Sequence, residues 1–106
     1  MDWYQNLYIG DNISERKETV IQKLKKHKKV SGIQLIILPP GEQNQLEIIQ
    51  TEQLYRYIRQ EKRIKILGLA SDMKEAGELV RRMAEDVFRY RGDMQIKEFF
   101  AESFTD

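Results

Sequence analysis

Two short apolar runs constrain the fold of this chain most strongly. IQLIIL, from Ile33 to Leu38, and IKILGLA, from Ile64 to Ala70, consist mostly of isoleucine and leucine. Strands that are apolar at successive positions, and not only at alternate ones, are typical of a sheet covered on both faces. We therefore expect these two segments to be the central strands of a sheet with helices on both sides.

A long amphipathic helix is the clearest of the remaining elements. Between about Asp72 and Arg91, apolar residues recur at spacings of three and four, and Gly92 follows as the terminating residue. A first helix is predicted from about Asn12, within a capping-box pattern, to about Lys29. Thr51 is expected to cap a brief helix between the two.

Three further strands complete the predicted fold. The first runs from Asn6 to Gly10, and LEIIQ (46–50) is expected to return from the PPGEQN turn (39–44) as the second strand of a hairpin. QIKEFFA (95–101) is interpreted as a last strand at an edge of the sheet, because its polar residues suit an edge position. The sequence thus predicts one domain over residues 1–106.

The predicted fold class is α/β, in the sense of a mixed α+β sheet. Its element order is β-α-β-β-α-β-α-β, with about five strands and helices on both faces.

Composition excludes several classes of protein. The chain has no cysteine, which excludes disulfide frameworks and thiolate zinc sites, and it shows neither a signal-peptide pattern nor an apolar run that spans a membrane. Its formal net charge of +1 creates no global field that would attract nucleic acid or an anionic membrane. We expect a cytoplasmic protein without a cofactor or a bound metal.

LYIGDN, from Leu7 to Asn12, resembles the first-strand motif of RNA-recognition domains, in which a ring such as that of Tyr8 stacks on a base. Those domains carry further aromatic residues on a neighbouring strand, and QLEIIQ supplies none. The helix at 72–91 also needs a surface to cover. RNA binding through Tyr8 is therefore the less favoured interpretation, and Tyr8 is predicted to be buried under that helix.

KLKKHKK, from Lys23 to Lys29, is the largest cluster of charge, and Lys25, Lys26 and Lys29 are the candidates for contact with phosphate. Cations at a helix C-terminus also complement the helix dipole, and no aromatic residue stands among these lysines to recognise a base. His27 is the only histidine, so a multi-histidine metal site is excluded. The cluster is better explained as a solvated helix end.

The turn GLASDMKE, from Gly68, is the segment that most resembles a ligand site. A glycine lets a ligand approach the strand, and a helix N-terminus offers unpaired amides to an anion. Gly68, Ser71 and Asp72 are therefore candidate binding residues. Against this, no phosphate-binding glycine motif is present, Asp72 and Glu75 bring negative charge, and Ser71 as N-cap would explain the turn without a ligand.

Large aromatic residues stand near both ends of the sequence, namely Trp3, Tyr4, Phe99 and Phe100. Either they cover the ends of the core or they form a surface for another chain. An edge strand at 95–101 would also be available to pair with a second copy. Homodimerisation is therefore a prediction of the sequence.

Two long segments together, NLYIGDNISERKETVIQKLKKHKK and GLASDMKEAGELVRRMAEDVFRYRGDMQIKEFF, carry a resemblance that covers most of the chain. In their content of Ile, Lys and Glu they resemble the uncharacterised small α/β proteins of low-GC bacteria. The resemblance implies a bacterial cytosolic accessory protein, and it transfers no activity and no site residues.

The leading functional hypothesis is a non-enzymatic protein that acts by binding, as a homodimer or with a protein partner. A small-molecule or nucleotide-binding regulatory domain that uses the 68–75 turn is the alternative, and an RNA binder that uses Tyr8 is a further one. Catalysis by dispersed acidic, lysine and tyrosine side chains also stays open, because such sets assemble only in the fold.

Overall fold

The computed structural model describes residues 1–41 and 45–101, together with the backbone of residues 104–105. The described strands are β1 (Asp2–Ile9), β2 (Gln34–Leu38), β3 (Glu47–Ile49), β4 (Lys65–Ala70) and the two-residue β5 (Phe104–Thr105). The described helices are α1 (Lys17–Lys25), which follows a 3₁₀ turn (Ser14–Arg16), α2 (Thr51–Arg59), α3 (Met73–Arg91) and α4 (Ile96–Ala101).

Four strands form a mixed sheet in the order β3-β2-β4-β1, and the short β5 lies outside β1. β4 is parallel to β1 and antiparallel to β2, while β2 is antiparallel to β3. The predicted mixed α/β fold is thus confirmed. The two apolar runs do form the central strands β2 and β4, and residues such as Ile36, Ile37, Ile66 and Leu67 are fully buried.

Helices cover both faces of this sheet and bury a separate apolar cluster on each. α1 and α2 pack on one face, where Val20, Leu24 and Leu54 meet alternate residues of the central strands. α3 and α4 pack on the other face, where the buried residues are Tyr4, Ile36, Leu38, Leu67, Ala70, Ala76, Leu79, Met83, Val87 and Phe100. The successive apolar positions of β2 and β4 are explained by this double cover.

The last predicted strand, residues 95–101, was wrong, because this segment forms the helix α4. Ile96, Phe99 and Phe100 stand at spacings of three and four, which place them on one side of a helix. Phe100 is fully buried, whereas Gln95 and Glu98 are exposed. The polar residues that suggested an edge strand therefore lie on the solvent side of a short amphipathic helix.

Several element boundaries also differ from the prediction. β1 begins at Asp2 and not at the predicted Asn6. The N–H of Asp2 donates to the carbonyl of Ile64 at 3.0 Å. α1 ends at Lys25 because His27 has a left-handed φ of 57°, and the N–H of Lys28 then donates to the carbonyl of Lys23 at 2.9 Å. Residues 42–44 of the predicted PPGEQN turn lie outside the described residues.

Two predicted helix starts also differ from the structure. The first helix was predicted to start too early, and the cap of the second was placed one residue too late. Asn12 caps no helix, since α1 begins only at Lys17, after the 3₁₀ turn. Thr51 is the first residue of α2, and Gln50 occupies the N-cap position instead. The N–H of Gln50 donates to Oε1 of Gln53 at 3.1 Å, which is half of a capping box.

Candidate functional site

The predicted ligand-binding turn lies at the carboxyl ends of the parallel strands β1 and β4. Gly68 lies within β4, Ser71 directly follows it, and Asp72 is the N-cap of α3. Oδ1 of Asp72 accepts the N–H of Glu75 at 2.8 Å. The assignment of Ser71 as the N-cap was therefore wrong by one residue, because it is Asp72 that has the extended backbone of a capping position.

The side chain of Glu75 fills the place where an anionic ligand was expected. Its carboxylate is buried and accepts the N–H of Ser71 at 2.8 Å and the N–H of Asn12 at 3.0 Å. It therefore joins the segments that follow β4 and β1. Burial by itself would raise the pKa of Glu75, but these hydrogen bonds and the positive charge of Arg82 lower it below the ordinary value.

Gly10 makes room for this carboxylate. A Cβ atom at Gly10 would lie 2.1 Å from Oε1 of Glu75, closer than any real contact. The sequence assigned Gly10 to a turn and Glu75 to the acidic first turn of a helix, and nothing in their spacing of 65 residues indicates that they meet. The turn thus binds the carboxylate of Glu75, an anion of the protein itself, through amides that an anionic ligand would otherwise contact.

Tyr8 lies on the sheet face that α3 and α4 cover, as the sequence predicted, but its side chain is half-buried and not fully buried. Its ring stacks on Tyr4 at 6.2 Å, and its hydroxyl donates to Oδ2 of Asp86 on α3 at 2.5 Å. Burial and the neighbouring Asp86 carboxylate raise the pKa of Tyr8. The ring therefore has partners within the protein.

The aromatic residues near the two ends of the sequence meet at one end of the core. Tyr4 and Phe100 are both buried and contact each other edge to face, with ring centroids 5.0 Å apart. Phe99 is half-buried and contacts Phe100 in the same geometry at 4.9 Å. The sequence left open whether these aromatic residues cover the core or form a surface for another chain. Tyr4 and Phe100 cover the core.

The lysine cluster is an exposed end of α1 with several contacts inside the protein. Nζ of Lys25 lies 5.9 Å from the centre of the Trp3 ring, and Nζ of Lys29 forms an ion pair with Glu52 at 3.2 Å. Lys26 is exposed to solvent. The His27 ring lies 5.7 Å from that of Tyr55, whose hydroxyl donates to the carbonyl of Lys28.

An exposed apolar surface on α3 was not predicted from the sequence, because Phe88 counts among the apolar residues that recur at spacings of three and four along this helix. We call this surface the Phe88 patch; it is a shallow depression of about 450 Å³ formed by Ala84, Glu85, Phe88, Arg89 and Met94. Phe88 is 61% exposed and Met94 46% exposed. Phe88 lies 100° around the helix from the buried Val87, beyond the stripe that faces the sheet.

The described residues form neither a metal-binding cluster nor a membrane-spanning helix. They contain no group of three or more histidine or acidic side chains placed to hold a metal ion. None of their helices is long and apolar enough to cross a membrane.

Comparison with known proteins identifies no relative of this chain. No protein-family model matches the chain, and neither the curated proteins nor the solved structures contain a significant match.

Proposed function

We propose that this chain is a non-enzymatic binding protein that works as a homodimer joined through the Phe88 patch. The observation that carries the proposal is the 61% exposure of the Phe88 side chain beside Ala84 and Met94. Single exposed apolar residues are ordinary on a protein surface, but a contiguous apolar surface with a charged rim is typical of an interaction site. Aromatic residues, methionine and arginine are also the residues enriched in interfaces.

The charges around the patch favour a second copy as its partner. In a twofold symmetric dimer the same surface meets itself, so its charges must complement themselves. Two α3 helices that pack antiparallel, centred midway between Glu85 and Arg89, set Glu85 of one copy opposite Arg89 of the other. Both side chains line the patch, so this arrangement brings the two Phe88 rings together between two ion pairs.

The first test is the molecular mass in solution, measured by sedimentation equilibrium over a range of concentrations. We expect the wild-type chain to approach twice its mass of 12.7 kDa and Phe88→Asp to remain at 12.7 kDa, because a carboxylate on an apolar interface is not solvated. Met73→Ser is the matched control, since Met73 is a similarly exposed apolar residue on α3, at 58%, outside the patch. A wild-type chain that is monomeric throughout would contradict the proposal.

A charge reversal tests the antiparallel geometry. Glu85→Arg and Arg89→Glu each place like charges opposite one another and should weaken dimerisation. The double variant Glu85→Arg/Arg89→Glu restores opposite charges across the twofold axis and should recover it. Equal weakening in all three variants would reject this pairing of the two helices.

A further inference from the structure

The outer edge of β1 presents backbone groups that are available to another strand. On its inner side the N–H of Gly10 donates to the carbonyl of Leu69 at 2.9 Å, so the alternating backbone groups of Tyr8 also face β4. The N–H and C=O groups of Ile9 and the C=O of Leu7 consequently point outward, next to the irregular register that β1 has between Trp3 and Tyr8. In the part of the chain that the structure describes, β5 pairs with this edge only at Trp3 and Tyr4.

A polar groove of about 580 Å³ runs beside this edge. Its far wall comes from α3 and α4, which contribute Arg82, Asp86, Tyr90 and Phe99. Tyr90 is 72% exposed, and its ring stacks on that of Phe99 with centroids 6.3 Å apart. Lys17 from the start of α1 also lines the groove. The groove thus combines a strand edge, two stacked aromatic rings and charged side chains.

The charges of the groove favour an acidic occupant. Its one carboxylate, Asp86, already accepts the hydroxyl of Tyr8. Its two cations, Lys17 and Arg82, form no ion pair with a described residue. Arg82 also lies near enough to Glu75 to lower its pKa, and the charged residues that line the groove itself, Lys17, Arg82 and Asp86, have a formal net charge of +1.

We infer that this groove binds an extended peptide segment with acidic side chains, which adds to the sheet as a strand beside Leu7 and Ile9. The backbone of the peptide supplies the hydrogen bonds of the ladder, and its side chains select the sequence. Its acidic side chains would pair with Lys17 and Arg82, and an apolar residue would lie on Tyr90. Nucleic acid would use the two cations but offers no complement to a row of N–H and C=O groups.

A second copy is a poorer occupant of this groove, because its own β1 edge carries the same two cations and would bring like charges together. The groove also lies away from the Phe88 patch. Residues 82 and 86 are about 200° around α3 from residues 84 and 88, which is the opposite side of the helix. The inference therefore does not depend on the proposed homodimer.

The test is the binding of a fluorescein-labelled peptide, EVEVDVEV, followed by fluorescence anisotropy at low salt. We expect saturable binding that weakens by up to about fivefold in Arg82→Gln, the upper end of the effect of losing one exposed ion pair. Arg59→Gln is the matched control, since Arg59 ends α2 on the other face of the sheet, and it should leave the affinity unchanged. The Phe88→Asp variant should bind as wild type does.

Two altered peptides test the mode of binding. KVKVKVKV reverses every charge, and a version of the acidic peptide with alternate amides N-methylated cannot complete the ladder. Both should bind at least tenfold more weakly, while the acidic peptide should slow hydrogen exchange at the amide of Ile9. Absence of binding by the acidic peptide, equal binding by either altered peptide, or Arg82-dependent binding of a single-stranded oligonucleotide alone would overturn the inference.

Discussion

At the scale of single residues, Gly68 shows how closely the elements of this protein approach one another. A Cβ atom at this position would lie 2.9 Å from the carbonyl oxygen of Tyr8 and 3.0 Å from Cε of Met83. The first of these atoms is backbone and has little freedom to move. The glycine thus allows β4 to pack between β1 and α3.

Replacement of Gly68 by alanine should therefore destabilise the fold. We expect Gly68→Ala to lower the free energy of unfolding by about 1–3 kcal/mol, the usual cost of overpacking a core. Gly77→Ala is the matched control, because Gly77 lies exposed within α3 and a Cβ there meets nothing within 4 Å. That variant should gain up to about 1 kcal/mol. Urea unfolding measures both, and equal stabilities would contradict the packing argument.

Gly10 and Glu75 form a pair whose mutational effects should not add. Gly10→Ala displaces the Glu75 carboxylate from the amides of Ser71 and Asn12, and Glu75→Ala removes the same carboxylate. Each change leaves those part-buried amides without their acceptor, which costs at most about 1–3 kcal/mol, the cost for a fully buried group. In the double variant the second change should add little, as a double-mutant cycle in urea will show. Additive losses would mean that the two residues act independently.

At the scale of elements, the start of α3 depends on one capping side chain. Asp72 accepts the N–H of Glu75, the residue whose carboxylate accepts the amides of Ser71 and Asn12. We expect Asp72→Ala to lower the free energy of unfolding by about 1 kcal/mol, as is usual for the loss of an N-cap. Asp72→Asn keeps an acceptor oxygen and should lose much less. Equal losses in the two variants would assign the effect to the charge of Asp72 rather than to the cap.

The elements differ in how far the sequence predicted them, and the reason is physical. β2 and β4 are nearly continuous apolar runs, and α3 carries a long pattern of apolar residues at spacings of three and four, so the sequence alone located them. α4 has only six residues, and a pattern this short, with Ile96, Phe99 and Phe100 as its apolar positions, is equally compatible with a strand. The carboxylate of Glu75 reaches amides on two different segments, which is a product of tertiary structure that no local pattern encodes.

At the scale of the whole molecule, Glu75 should give the stability a dependence on pH. The folded state lowers the pKa of this carboxyl below its ordinary value of 4.5. Its contribution to stability is then complete above that value and is lost as the pH falls through the lower, folded-state pKa. Thermal unfolding between pH 6 and pH 2.5 should show a smaller acid dependence in Glu75→Gln than in the wild type. An unchanged dependence would assign acid sensitivity to other carboxylates.

The parallel pairing of β1 with β4 also has a consequence for how the chain is made. Tyr8 pairs with Gly68, which the ribosome adds 60 residues later. At 5–20 residues per second this interval is about 3–12 s, during which the first strand has no sheet to join. Unpaired strands that expose apolar residues are prone to aggregate, so substitutions that make β1 more apolar should reduce the yield of folded protein in cells more than they change its final stability.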